Sequence, residues 1–144
     1  MPTTRASTRS RVFIQYAVAR RGVPAASLLR KWARAAGGSH VTLRIVGEAE
    51  GRKLNRAFRK ENYATNVLTF HTRDIVLCHP VIRREARAQG KALAAHYAHL
   101  VVHGVLHLRG YAHEKKRDAA RMEKREIDIL RLSGFGDPYA PTVK

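Results

Sequence analysis

The sequence predicts a single α+β domain in which a small mixed β-sheet packs against about five helices. Short apolar or alternating segments, of the length of strands, are interspersed with longer segments of helical periodicity. Glycine or proline residues mark the ends of most of the helical segments. With 144 residues, of which 44% are hydrophobic, the chain can form one modest core but not two.

The first two predicted strands enclose a predicted helix. Residues 12–18 are apolar and β-prone, and residues 41–46 alternate between apolar and polar side chains. Between them, Pro24 opens a helix that extends to about Ala36, where a glycine pair ends it. Trp32 lies among apolar neighbours at helical spacing, so we interpret it as a core residue and not as a base-stacking surface.

A strongly basic helix is predicted from Glu48 to about Phe58. We expect the apolar side chains Leu54 and Phe58 to point inward. The basic residues that point largely outward are Arg52, Lys53, Arg56 and Arg59. A surface helix this basic is consistent with contacts to phosphate groups.

A hairpin and a third helix follow. Residues 66–70 and 74–78 are short apolar strands with three residues between them, which predicts a tight hairpin. Pro80 then starts a helix, and Gly90 ends it.

The last predicted helix extends from Glu114 to about Leu132 and is charged and amphipathic. Its apolar side contains Ala119, Met122, Ile127 and Leu130. We interpret Glu123 and Glu126 as surface residues, because they lie among Lys124 and Arg125 and would form ordinary surface ion pairs.

The segment from residue 92 to residue 113 predicts a metal site. An uninterrupted helical segment leads to His103 and His107, whose four-residue spacing places both imidazoles on one face. Gly110 predicts a helix stop, after which the chain can turn back and supply His113 as a third ligand. Three nitrogen ligands leave one position of a tetrahedral ion open, which is typical of catalytic zinc sites.

His96 and His99 lie on the same stripe of this helix. Successive turns are about 5.4 Å apart, so a straight stripe cannot place three nitrogens around one ion. We therefore expect His99, and also His96, to form hydrogen bonds in the core or behind the metal ligands.

The spacing of the three candidate ligands is also that of metzincin proteases. In those enzymes a glutamate follows the first histidine and acts as the general base. Gly104 occupies that position here, so the sequence disfavours a zinc protease.

Charge and cysteine content limit the remaining possibilities. The 28 Lys and Arg residues against 11 Asp and Glu residues give a net charge of +17, which indicates a polyanionic partner such as nucleic acid or an acidic membrane surface. No apolar segment approaches the roughly 18 residues that cross a bilayer, so we expect no stable membrane association. The single cysteine, Cys78, fits a reducing, cytoplasmic environment. We divide the chain into a flexible basic arm (1–10), one domain (11–139) and a tail (140–144).

Two separated blocks of the sequence resemble a known family. The first comprises residues 54–59 and 65–70, and the second comprises residues 103–113, preceded by His96 and His99. Over roughly residues 41–139, their content and order resemble the YbeY family of bacterial metal-dependent endoribonucleases. The resemblance implies hydrolysis of single-stranded RNA in rRNA maturation and ribosome quality control. It also implies a ribosome or ribosomal subunit as partner. The ligand type predicts one zinc ion per chain, since all-nitrogen sites suit zinc, though nickel or copper can occupy one in vitro.

The resemblance assigns residues to three tasks. The metal ligands are His103, His107 and His113. The catalytic residues are Arg59 and His113, and the RNA-binding residues are Arg56, Arg59 and Lys60. A guanidinium such as that of Arg59 is always charged and can stabilise negative charge that develops on a phosphodiester.

The chain differs from the family pattern at two places. Ala112 replaces the aspartate that usually precedes the third histidine, and loss of an outer carboxylate typically costs about 10–100-fold in metal affinity or activity. The link at residues 71–73 is shorter than the usual loop. We therefore expect weakened or altered catalysis. The alternative is a non-catalytic ribosome-binding or RNA-binding protein with a structural zinc site.

Overall fold

A computed structural model describes residues 11–111 and 115–140. Within these ranges, four strands and five helices confirm the predicted α+β class. The strands are β1 (Val12–Tyr16), β2 (Val41–Val46), β3 (Val67–Phe70) and β4 (Asp74–Cys78). The helices are α1 (Ala26–Ala35), α2 (Glu48–Arg59), α3 (His79–Gln89), α4 (Leu93–Leu108) and α5 (Lys116–Leu132).

The sheet is mixed, and its strands lie in the order β1-β2-β4-β3. β1, β2 and β4 are parallel, whereas β3 pairs with β4 as an antiparallel edge strand. The predicted tight hairpin is confirmed, because Phe70 pairs with Asp74 across a three-residue turn. Arg73 adopts a left-handed φ of 68° there, and its guanidinium donates to the carbonyl oxygens of Ser39 and His40. These bonds offset the strain of a non-glycine residue in that conformation.

The main core lies between one face of the sheet and helices α1, α4 and α5. α4 runs through this core, so most of its side chains are buried. Trp32 is buried, as predicted, and meets Phe135 edge to face, with 5.7 Å between ring centroids. The core therefore fixes α4 and, with it, the histidine stripe. No helix in the part of the chain that the structure describes is long and apolar enough to cross a membrane.

A smaller apolar cluster on the other face of the sheet packs under α2. The helix approaches closely at Gly51, where an added Cβ would lie 3.0 Å from the Sγ of Cys78. Leu54 packs against this cluster, as predicted. The prediction that Phe58 points inward is wrong, because 63% of it is exposed. The last turn of α2 reaches the edge strand β3, beyond which no further strand of the described ranges covers the ring.

Candidate active site

The two sequence blocks that resemble one family converge on one pocket of about 430 Å³. Arg59 comes from the last turn of α2, and Asn66 and Phe70 come from β3 and the residue before it. His103 and His107 reach the same pocket from the second half of α4. The fold therefore places a guanidinium beside two imidazoles, although the blocks are far apart in sequence.

Close packing of α4 against the sheet positions His103 and His107 in the pocket. Their ring centroids lie 4.7 Å apart at an interplanar angle of 78°. Between them in sequence, Gly104 faces the sheet, and an added Cβ would lie 3.0 Å from a methyl carbon of Ile75. A larger side chain at this position would therefore require Ile75 to shift by a few tenths of an ångström.

The helix stop that the sequence predicts after His107 is confirmed. Gly110 has a φ of +99°, which favours glycine, and the N–H of Tyr111 donates to the carbonyl of Leu106 over 3.0 Å. The predicted third ligand His113 lies outside the described residues, as do Ala112 and Glu114. The observed turn begins the change in chain direction on which the three-histidine prediction depends.

Glu126 is the functional residue that sequence reasoning misjudged. The surface position predicted for it is wrong, because none of its side chain is exposed. It lies on the buried face of α5 with Met122, Ile129 and Leu130. This spacing of four, three and one is a helical stripe, and it could have identified Glu126 as buried.

The buried carboxylate of Glu126 binds two histidines of α4. Its Oε2 lies 2.7 Å from Nδ1 of His103, and its Oε1 lies 3.0 Å from Nε2 of His99. The hydroxyl of Tyr139 also donates to Oε1. Burial alone would raise the pKa of Glu126, but the hydrogen bonds from His103, His99 and Tyr139 outweigh it and hold the pKa at about 2.

An ionised carboxylate can only accept hydrogen bonds, so it determines the tautomer of His103. Nδ1 of that ring donates to Glu126, and in the neutral ring the lone pair is then on Nε2. A carboxylate behind a histidine in this way orients the ring and makes it a better metal ligand. His99, His103 and Glu126 also form a group that could itself hold a metal ion, since their ligand atoms lie within 4.8 Å of one another.

The expectation that His96 and His99 form hydrogen bonds in the core is confirmed. Nε2 of His96 lies 2.8 Å from Oε1 of Glu85, which also accepts from the Asn66 side chain over 3.0 Å. Burial lowers the pKa of His96, and the nearby carboxylate of Glu85 offsets this only in part. Because Asn66 lines the pocket, this second carboxylate links the buried half of α4 to the pocket wall.

The three residues predicted to bind RNA lie at and just beyond the end of α2. Arg56, Arg59 and Lys60 are all exposed, and Arg59 also lines the pocket. Lys60 has a left-handed φ of 62°, and the backbone N–H of the next residue, Glu61, donates to the carbonyl of Asn55 over 3.4 Å. The helix therefore ends with a cluster of exposed cations, of which Arg59 lines the pocket.

Comparisons with known proteins agree with this architecture. The family model described as endoribonuclease YbeY matches residues 23–134. A relative from Aromatoleum aromaticum named endoribonuclease YbeY is 48% identical, with 96% of this chain and 97% of the relative covered. Another of that name, from Verminephrobacter eiseniae, is 50% identical over 86% of each chain. The solution structure of a Thermotoga maritima protein is similar in fold, with a TM-score of 0.53 at 23% identity, and the match covers 90% of this chain and 99% of that one.

Proposed function

Because this chain belongs to the endoribonuclease YbeY family, we propose that it is a metal-dependent endoribonuclease that hydrolyses phosphodiester bonds in single-stranded RNA. Membership of the family supports an RNA-cleaving hydrolase with an RNA substrate. The observation that carries the proposal is the convergence of Arg59, His103 and His107 on one pocket. Metal-assisted phosphodiester hydrolysis can use both a cation for the phosphate and a metal site.

The metal ligands in this proposal are His103, His107 and His113. The donor set fits zinc, because imidazole nitrogens suit this ion and because Glu126 leaves the lone pair of His103 on Nε2. The nearness of the His103 and His107 rings supports a shared ion. When bound, zinc would lower the pKa of a water molecule or polarise the phosphoryl group.

Glu126 serves in this proposal as an orienting residue and not as a ligand. Atoms that share a tetrahedral zinc ion at about 2.0–2.1 Å lie about 3.3 Å apart. Oε2 of Glu126 lies only 2.7 Å from Nδ1 of His103, which is a hydrogen-bond distance. The bonds from His99 and Tyr139 likewise fit a carboxylate held by donors.

Arg59 binds the scissile phosphate. Its guanidinium donates hydrogen bonds in a fixed fork that matches phosphate oxygens, and it keeps its charge at any working pH. Arg56 and Lys60 bind neighbouring phosphates, which sets the path of the RNA across the end of α2. Loss of one such transition-state donor typically costs about 100- to 1000-fold in rate.

The physiological setting we propose is rRNA maturation and ribosome quality control in the cytoplasm, with the ribosome or a subunit as partner. A net charge of +17 supports binding to a large polyanion. Such binding is electrostatic, so it weakens with salt and shows no sequence preference of its own.

The test is cleavage of a structured RNA with a single-stranded tail by the unaltered protein and by His107→Ala and Arg59→Ala. Two controls match these changes: His40→Asn removes an exposed histidine and retains its left-handed backbone, and Arg125→Ala removes an exposed arginine of α5. We expect the unaltered protein and both controls to cleave, and chelation to stop them. His107→Ala should fall to background, and Arg59→Ala should lose about 100- to 1000-fold.

The same assay separates the proposal from a non-catalytic RNA-binding protein with a structural zinc site. The enclosed network of Glu126, His99, His103 and Tyr139 is the observation that favours that second function, since a network of this kind also braces a fold. Equal cleavage by every variant would indicate a contaminating nuclease. RNA binding by folded, inactive protein would favour the bracing site.

A further inference from the structure

Phe58 is a large apolar side chain that the fold leaves in water beside the candidate active site. Its exposed fraction is 63%, and its aromatic contact is with Phe70, with 4.7 Å between ring centroids and an interplanar angle of 71°. Burial would stabilise such a ring. An exposed aromatic ring on the rim of a pocket is therefore available for contact with a ligand.

The two phenylalanines separate two pockets of different chemistry. Phe58, Thr69 and Phe70 line both the histidine pocket and a second pocket of about 510 Å³. The surface of the second pocket is mostly apolar and extends under α2 to Leu54 and Val76, although polar and charged residues also line it: Arg44, Glu50, His71, Thr72 and Asp74. A cationic, histidine-lined pocket thus shares a wall with an apolar one.

We propose that Phe58 and the second pocket form a subsite for one unpaired nucleobase of the RNA whose phosphate binds Arg59. This inference rests on the proposed function and names a base-binding element of the same site. A nucleotide joins an anionic phosphate to a flat base with an apolar face. The two adjoining pockets offer a separate surface for each part, and aromatic rings stack readily on bases.

Charge decides between a nucleobase and an apolar peptide side chain. Arg59 follows Phe58 directly in the chain, and Arg56 and Lys60 are exposed on the same end of α2. An apolar side chain of a peptide could enter the second pocket, but it would bring no anion to this cluster. RNA satisfies both the ring and the cations.

The subsite also accounts for a preference for single strands. A base in a duplex is stacked and paired, so its face is covered, whereas an unpaired base can be splayed out onto a ring. Stacking tolerates any base, since every base has a flat π-face. Phe58 therefore selects for unpaired RNA without selecting a sequence.

The experiment combines protein variants with RNA that lacks single bases. A single-stranded oligonucleotide, and a set of copies each with one abasic position, are bound to the full-length protein under chelation so that no cleavage occurs. We expect Phe58→Leu, which keeps an apolar side chain, to weaken binding about 10- to 100-fold, the cost of one base–aromatic stack. Phe58→Trp should retain binding. Phe13→Leu is the control, because Phe13 is 47% exposed on the opposite edge strand, β1.

Coupling between the two changes identifies the base. At one position, removal of the base should weaken binding to the unaltered protein as much as Phe58→Leu weakens binding of the intact RNA. Binding between that abasic RNA and Phe58→Leu should be no weaker than with either change alone. Equal binding by Phe58→Leu, or independent effects at every position, would overturn the inference. Weakened binding without coupling to any base would likewise overturn it, because Phe58 would then contact the RNA other than through a base. If the unaltered protein binds RNA but never cleaves it, the nuclease proposal fails and the coupling still decides on the subsite.

Discussion

The two ends of the histidine stripe on α4 lie on one face of the helix but have different surroundings. At the N-terminal end, His96 is buried and bonded to Glu85, and His99 is bonded to Glu126 and Tyr139. At the C-terminal end, His103 and His107 line the pocket beside Arg59, and 24% of the His103 side chain is exposed. One helix thus carries two histidines of the core and two of the candidate site.

Helical spacing therefore determines which face of the helix a histidine occupies, whereas contacts with other elements determine whether that histidine supports the core or lines the pocket. Glu126 joins the two ends, because one of its oxygens binds His99 and the other binds His103. The buried end is therefore a support that fixes the ring at the pocket. We expect changes at the two ends to have separable effects on metal binding and on stability.

The largest expected difference is between changes to His107 and to His96, one histidine from each end of the stripe. Removal of a residue that orients a metal ligand typically costs up to roughly 100-fold in metal affinity. His107→Ala should reduce zinc affinity by more than this, because it removes a ligand itself. His96→Gln should keep zinc affinity and lower only the free energy of unfolding, by about 1–3 kcal/mol, since a buried pair is disturbed. Zinc affinity is measured by competition with a coloured chelator, and unfolding with urea. If His99→Gln abolished zinc binding and His107→Ala did not, the ion would belong to the group of His99, His103 and Glu126.

A smaller effect is expected at the carboxylate that joins the two ends. Glu126→Gln keeps the side-chain shape and removes the charge that orients His103, so zinc affinity should fall by about 10–100-fold. Glu123→Gln is the matched control, since it removes an exposed carboxylate from the same helix. An unchanged affinity would show that the hydrogen bond does not tune the site. A loss as large as that of His107→Ala would make Glu126 a direct ligand.

Much of the fold could be predicted because its signals are local. β2 and β4 occupy the predicted residues, and the helices end at Gly90 and Gly110 as expected. A glycine stop or an alternating strand depends on neighbours in sequence, so no knowledge of distant segments is needed. The pocket histidines follow from the same kind of signal.

The failed predictions concern burial, which distant segments decide. Phe58 has the spacing of an inward residue but lies at the edge of the sheet, where Phe70 is its aromatic neighbour. Glu126 is charged, yet three donors from α4 and from Tyr139 make its burial tolerable. Neither arrangement can be read from adjacent residues, although the stripe on α5 offered a partial signal for Glu126.

The smallest expected effect is on the pH dependence of the free energy of unfolding, to which His96 and Glu126 contribute in different pH ranges. Burial lowers the pKa of His96 in the folded protein below the 6.5 of an ordinary histidine. Between these two values the unfolded chain binds more protons, so the free energy of unfolding falls as the pH drops below about 6.5. Glu126 contributes at lower pH. Its pKa rises from about 2 in the folded protein to an ordinary 4.5 on unfolding, so its contribution to the free energy of unfolding is lost as the pH falls from 4.5 towards 2.

Urea unfolding of the chelated protein at a series of pH values tests this separation. His96→Gln should partly flatten the pH dependence of the free energy of unfolding just below pH 6.5. The flattening is only partial, because burial also lowers the pKa of His79 and the contribution of that residue remains. Glu126→Gln should flatten the curve below about pH 4.5. If His96→Gln left the upper region unchanged, Glu85 would offset the whole effect of burial on the pKa of His96, and the buried end of the stripe would add nothing to the pH dependence there.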